Sequence, residues 1–143
     1  MEESVFSQIV SKKIPAHIVY EDEMVVAFLD IKPIHPGHTI VIPKQPSRDI
    51  FDISRDDWQH TAEVVRKLAT SIKTAVKADG INLIMNNGTA AGQTVFWPHV
   101  HIIPRFQGDG IAVMPQRISS YEEMMHTQEH IIEAIKVESA KTK

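Results

Sequence analysis

Between Gly92 and Arg105 the chain reads Gly-Gln-Thr-Val-Phe-Trp-Pro-His-Val-His-Ile-Ile-Pro-Arg. Its centre alternates imidazole and aliphatic side chains, and residues two apart on a strand share a face. His99 and His101 therefore point one way, and Val100 and Ile102 the other. The aliphatic pair needs a core to cover it, so this strand belongs to a sheet with one packed face. Upstream, Asn86 to Thr94 is rich in glycine and short polar residues. Such a loop can turn backbone N–H groups and side-chain donors toward an anion.

The other periodicities surround this strand. Ser4 to Lys12 spaces Phe6, Ile9 and Val10 helically, with Ser4 as a cap. His17–Tyr20 and Met24–Asp30 read as two strands of a hairpin across Glu21-Asp22-Glu23. Ile31 to Gly37 holds two prolines and a glycine and reads as a loop. His38–Pro43 is a third strand and Ile81–Met85 a fourth. Ser54 begins a long helix whose apolar stripe is Trp58, Ala62, Val65, Leu68, Ile72 and Val76, closed by Asp79-Gly80. Tyr121 to Val137 is helix-prone with an interrupted apolar face, and the terminal Ala-Lys-Thr-Lys is expected to fray. The sum is an α+β domain: a five-stranded antiparallel sheet with one long and one short helix. At 143 residues the chain suits a single domain, with a core over about 5–105 and a C-terminal extension over 107–143.

Composition narrows the chemistry. A net charge of −3 advertises no basic surface for nucleic acid. No apolar run approaches membrane-spanning length. Cysteine is absent, which removes thiolate ligands and nucleophiles and fits a reducing compartment such as the cytoplasm. The start, Met-Glu-Glu-Ser, lacks the basic, apolar character of a signal peptide. Eight histidines are present, four of them in two short pairs. From His99 and His101 alone three readings stay open: a metal site, a nucleophile or base, and satisfied surface histidines. Asp109 is the nearest carboxylate in sequence, which weakens the metal reading. His35-Pro36-Gly37-His38 is the second pair, and its plainest reading is a turn entering a strand. Asn86 and Gln93 can tie up their own loop or donate to an anion.

Gly92-Gln93-Thr94-Val95-Phe96 followed by His99-Val100-His101-Ile102-Ile103-Pro104-Arg105 resembles the histidine triad (HIT) family, in its Hint-like branch. Ile14-Pro15-Ala16, Tyr20-Glu21-Asp22, Ala27 to Ile31 and Pro36 to Lys44 resemble the same branch in the same order. The resemblance implies a nucleotide hydrolase or nucleotidyl transferase, usually a homodimer whose two sheets join across the interface. It implies catalytic roles for His99 (nucleophile), His101 and His38 (beside the α-phosphate). It implies that Asp30 binds ribose and that Phe6, Ile14, Phe28 and Ile31 form a purine pocket for an AMP or GMP moiety. Asn86, Gln93 and Thr94 would contact phosphate and leaving group. No metal and no cofactor is required, because imidazole is itself a nucleophile near neutral pH.

The family pattern is His-x-His-x-His, and here Trp97 holds the first place. The resemblance therefore carries an alternative, a catalytically weak or inactive purine-nucleotide-binding module. The backbone carbonyl at position 97, which in the family orients the nucleophile, survives the exchange. Many bacterial relatives also set a structural zinc with two cysteines and a histidine besides that first triad histidine. The corresponding residues here are Ser4, Ser7, Pro46 and Trp97, none a good zinc ligand. The indole is expected to fill the vacated space between the first helix and the histidine strand.

Overall fold

A computed structural model describes residues 3–141. The chain divides into two compact units at Asp109/Gly110. In the first, β1 (Ile18–Glu21), β2 (Val25–Leu29), β3 (Thr39–Pro43), β4 (Gly80–Ile84) and β5 (Val100–Arg105) form one sheet of order β1-β2-β3-β5-β4. Every neighbouring pair is antiparallel. The expected α+β sheet is what the chain forms. No helix among the described residues is long and apolar enough to cross a membrane.

The alternation within the central strands splits the core into two layers. Val25, Ala27, Val41, Val100 and Ile102 point to one face and pack with Val64 and Val65 of α2 (Arg55–Val76). Val26, Phe28, Ile40 and Ile42 point to the other and pack with Phe6 and Ile9 of α1 (Val5–Val10). Both helices start as their sequences direct. Ser4 Oγ accepts the Ser7 N–H at 3.1 Å, and Ser54 Oγ accepts the Asp57 N–H at 3.1 Å.

The end of α2 differs from expectation. The helix closes at Lys77 in the left-handed region (φ 57°), not at Asp79-Gly80. Those two residues are drawn into the sheet instead: the Asp79 N–H bonds the Arg105 carbonyl and Gly80 opens β4. Ladder pairing thus outweighs glycine's usual place after a helix. Two helices were expected in the fold, and a third forms: α3 (Tyr121–Lys141), in the second unit, with no buried side chain. Its Ala140 and Lys141 belong to the helix, and the last two residues of the tail lie outside those described.

Trp97 joins the α1-side cluster at 7% exposure, among Phe6, Ile9, Val26 and Ile42. Its indole Nε1 donates to the Pro43 carbonyl at 2.8 Å. Ser4 and Ser7, at the start of α1, bond each other. Trp97→Ala is expected to cost about 3–5 kcal/mol of stability, through lost burial, a cavity and an orphaned carbonyl. Denaturant unfolding checks this, and a variant that unfolds with the parent would contradict the packing role.

Candidate active site: three histidines with assigned protons

Two loops and two strands converge on the α1 side of the sheet. His99 lies just before β5 and His101 within it, and their ring centroids are 5.1 Å apart. His38 immediately precedes β3, and β3 pairs with β5, so its ring meets His101 at 5.1 Å. Gly37 makes that entry possible. Its φ is +98°, and an added Cβ would come 3.0 Å from Val76 Cγ1 and 3.3 Å from Pro104 Cγ.

The backbone decides where each proton sits. His99 Nδ1 lies 2.7 Å from the Trp97 carbonyl. A carbonyl only accepts, so Nδ1 carries the proton and Nε2 keeps its lone pair. At His38 the polarity is reversed, because Nδ1 accepts the Ile34 N–H at 3.1 Å. The neutral ring's proton is then on Nε2, which donates to His101 Nδ1 at 2.9 Å. His101 in turn is left with its proton on Nε2. The site therefore offers one bare nitrogen, on His99, and one N–H donor, on His101.

Burial favours the neutral form of all three rings. His38 and His99 are 4% and 6% exposed. Burial lowers the His38 pKa, and the Asp30 charge opposes this in part. Burial also lowers that of His99, against the pull of the Trp97 carbonyl and Asp30. His101 is pushed down to about 4, by burial first and then by its two histidine neighbours.

Of the remaining residues expected at the site, Asp30 and Phe6 meet these rings directly. Asp30 Oδ1 accepts the Lys32 N–H at 2.8 Å, while Oδ2 lies 3.6 Å from His38 Nε2. Phe6 is edge-on to His99 (4.9 Å) and to Phe28 (5.6 Å), and Ile14 packs on the same cluster. Ile31 stands 83% exposed on the same loop as Asp30. Gln93 is buried and fully engaged with its own surroundings. It donates to the carbonyls of Arg48 (2.8 Å) and Val95 (3.1 Å) and accepts the Gly88 N–H (2.8 Å). Of its two sequence readings, the geometry supports the loop tie. Asn86 lies beneath Gly92, whose missing Cβ would come 3.5 Å from Asn86 Nδ2. Thr94 is exposed. Sequence reasoning missed Asn87, whose Oδ1 accepts the Ile50 N–H at 2.8 Å and fastens the loop to the segment after β3. The tandem asparagines were its only signal.

Asp30, His38 and His101 also bring three possible metal-ligand atoms within 4.8 Å of one another. The donor set fits an ion poorly. While Ile34 donates to His38 Nδ1, the neutral ring has a proton on Nε2, the atom turned toward Asp30 and His101.

The HIT domain profile matches residues 11–108. The chain belongs to the histidine triad (HIT) family. A HIT-like protein of Saccharolobus solfataricus is 39% identical over 135 residues, spanning 92% of this chain and 97% of the relative. A crystal structure from Streptococcus mutans UA159 superposes with a TM-score of 0.88 at 39% identity, covering 94% of this chain and 87% of that one. A histidine triad nucleotide-binding protein from Candida albicans superposes with a TM-score of 0.81 at 28% identity, covering 99% of this chain and 100% of that one.

The lowered pKa values make stability depend on pH. Below the unfolded value of 6.5 the unfolded chain binds protons that folded His101 refuses until about pH 4. Stability is therefore complete above about 6.5 and falls as pH drops through that window. The upper part of the window lies above the carboxylate range, so imidazoles govern it. Urea midpoints measured across it are expected to decline, and less steeply in His101→Asn. A flat profile would mean the rings are not held neutral.

Proposed function

We propose that this HIT protein is a nucleotide hydrolase or nucleotidyl transferase. It acts at the α-phosphate of a purine nucleoside monophosphate conjugate, of the phosphoramidate or dinucleotide polyphosphate type. The observation that carries the reading is the 2.7 Å contact between His99 Nδ1 and the Trp97 carbonyl. With Nδ1–H held by the Trp97 carbonyl, Nε2 presents a lone pair from a ring kept neutral by burial. That carbonyl is intact although the first triad histidine is a tryptophan, which favours an active enzyme over a binding module.

In this reading His99 Nε2 attacks the α-phosphorus, and the leaving group departs with the bonding pair, taking a proton from solvent where it leaves as an amine. The product is a nucleotidyl-histidine whose positive ring the Trp97 carbonyl stabilises. The His101 Nε2–H donates to a non-bridging oxygen of the phosphate. Water then attacks phosphorus and releases a proton to solvent, the P–N pair returns to Nε2, and the nucleoside monophosphate leaves. No metal or cofactor enters either step. Asp30 accepts from the ribose hydroxyls through the carboxylate oxygen not taken by Lys32. Ile31, exposed beside it, and half-buried Ile14 offer the base apolar surface, and the cluster that Ile14 packs on holds Phe6 and Phe28 buried. Asn86 and Thr94 flank the phosphate side, and Gln93 shapes the loop that carries them. We place the enzyme in the cytoplasm as a homodimer, a reading supported by the exposed Leu83 and Ile84 on the edge strand β4.

The test is chemical. Adenosine 5′-phosphoramidate mixed with His101→Ala protein is expected to leave an adenylyl group on His99, visible by mass spectrometry. His99→Ala is expected to lose turnover by several orders of magnitude while still binding AMP. Wild-type turnover in that variant would refute the mechanism.

Asp30→Ala offers a separate measure of substrate reading. Losing a charge-assisted bond is expected to weaken ribonucleotides about tenfold or more. Nucleotides without 2′ and 3′ hydroxyls are expected to change little. Equal losses by calorimetry would remove the diol from the reading.

A further inference from the structure

His35 stands outside the three-ring site, yet its side chain makes the most specific contact of the loop that builds that site. The loop from Asp30 to His38 supplies the carboxylate beside His38, the exposed Ile31, and the Ile34 N–H that holds the His38 proton on Nε2. Its stretch from Ile31 to Ile34 is exposed and includes Pro33, which has no N–H to anchor it. Backbone bonds close its two ends, from Asp30 N–H to the His38 carbonyl (2.9 Å) and from His38 N–H to the His35 carbonyl (3.0 Å). Between these ends, His35 turns inward.

Its ring Nε2 lies 3.2 Å from Asp109 Oδ2, and its edge meets the face of Phe106 with centroids 5.1 Å apart. Asp109 is a rigid partner. Arg105, at the end of β5, grips both its oxygens (2.8 and 3.0 Å), and the Phe106 N–H adds a bond at 3.1 Å. The Asp109 side chain is 8% exposed and that of His35 22%. A carboxylate only accepts, so His35 donates from Nε2, whether neutral or charged. The loop is thereby tied to the same strand that carries His101.

We propose that His35 is a positioning residue: its bond to Asp109 holds the Asp30–His38 loop in register with β5, so that Ile34 keeps the His38 proton pointed at His101. The site then depends on a histidine that touches neither substrate nor the reacting ring. Without the tie, the segment beside Ile34 moves, its N–H leaves His38 Nδ1, and the His38 ring can exchange its proton between nitrogens. The His101 donor and the Asp30 carboxylate lose their fixed directions together.

The direct test is nitrogen-15 spectroscopy of the histidine rings in the full chain, which needs no substrate. Wild-type His38 is expected to be wholly the Nε2–H form, and a mixed or Nδ1–H ring in wild type would overturn the proposal. In His35→Leu, Asp109 keeps both Arg105 bonds, so the fold is expected to stand while the His38 signal becomes a mixture. His35→Gln, which restores a donor, is expected to recover the single form. A second readout rests on the nucleotide reading: KM for the phosphoramidate is expected to rise about tenfold in His35→Leu, the factor of one charge-assisted hydrogen bond. Gln is expected to rescue that too. An unchanged His38 signal in His35→Leu, or a mixture that Gln does not repair, overturns the proposal. If wild type turns over no substrate but the ring signals behave as stated, the hydrolase reading fails and the positioning role stands.

Discussion

Trp97 enters the site twice, once through its ring and once through its backbone. The ring is wedged between α1 and the sheet and is pinned by a bond from Nε1 to the end of β3. That anchoring fixes where the carbonyl of the same residue lies, and the carbonyl fixes the His99 proton. Apolar burial at one residue thus becomes chemical orientation two residues later. A smaller side chain would keep the carbonyl but not its position, since packed interiors hold shape only when filled.

The second constraint comes from the other strand edge and has the opposite sign. His99 meets a backbone acceptor, whereas His38 meets a backbone donor. Peptide groups are obligatory partners with fixed polarity, so neither ring is free to choose its tautomer. One backbone group yields a lone pair and the other a directed N–H. Neutral rings are needed for this ordering, because a charged imidazole donates from both nitrogens. Burial supplies that neutrality at a cost in stability as the pH falls.

How far the sequence reveals this depends on the range of the interaction concerned. Ser4 and Ser54 were legible as caps because a cap is a local bond over three residues. The alternation in β5 was legible because a face must be buried, and the family motifs pointed to His38, Asp30 and Phe6. The tautomers were not legible, since they rest on single backbone groups brought together by strand pairing. The end of α2 was misjudged because Asp79 and Gly80 obey β5, a partner some twenty-five residues away. Gln93 reads identically as an anion donor or a loop tie until its three partners are known. His35 looked like part of a turn, and only Asp109, remote in sequence, gives it a task.

The chain contains two tryptophans, Trp58 on α2 and Trp97 beside His99. An indole shielded from water, bonded through Nε1 and two residues from an imidazole, is placed to report on that ring's charge by its emission. Protonation of His99 changes the charge beside the Trp97 carbonyl and is expected to alter that emission. Trp58, half-buried on α2, emits from the other face of the sheet. Trp97 thereby offers an optical gauge of the surroundings of His99, readable without any label.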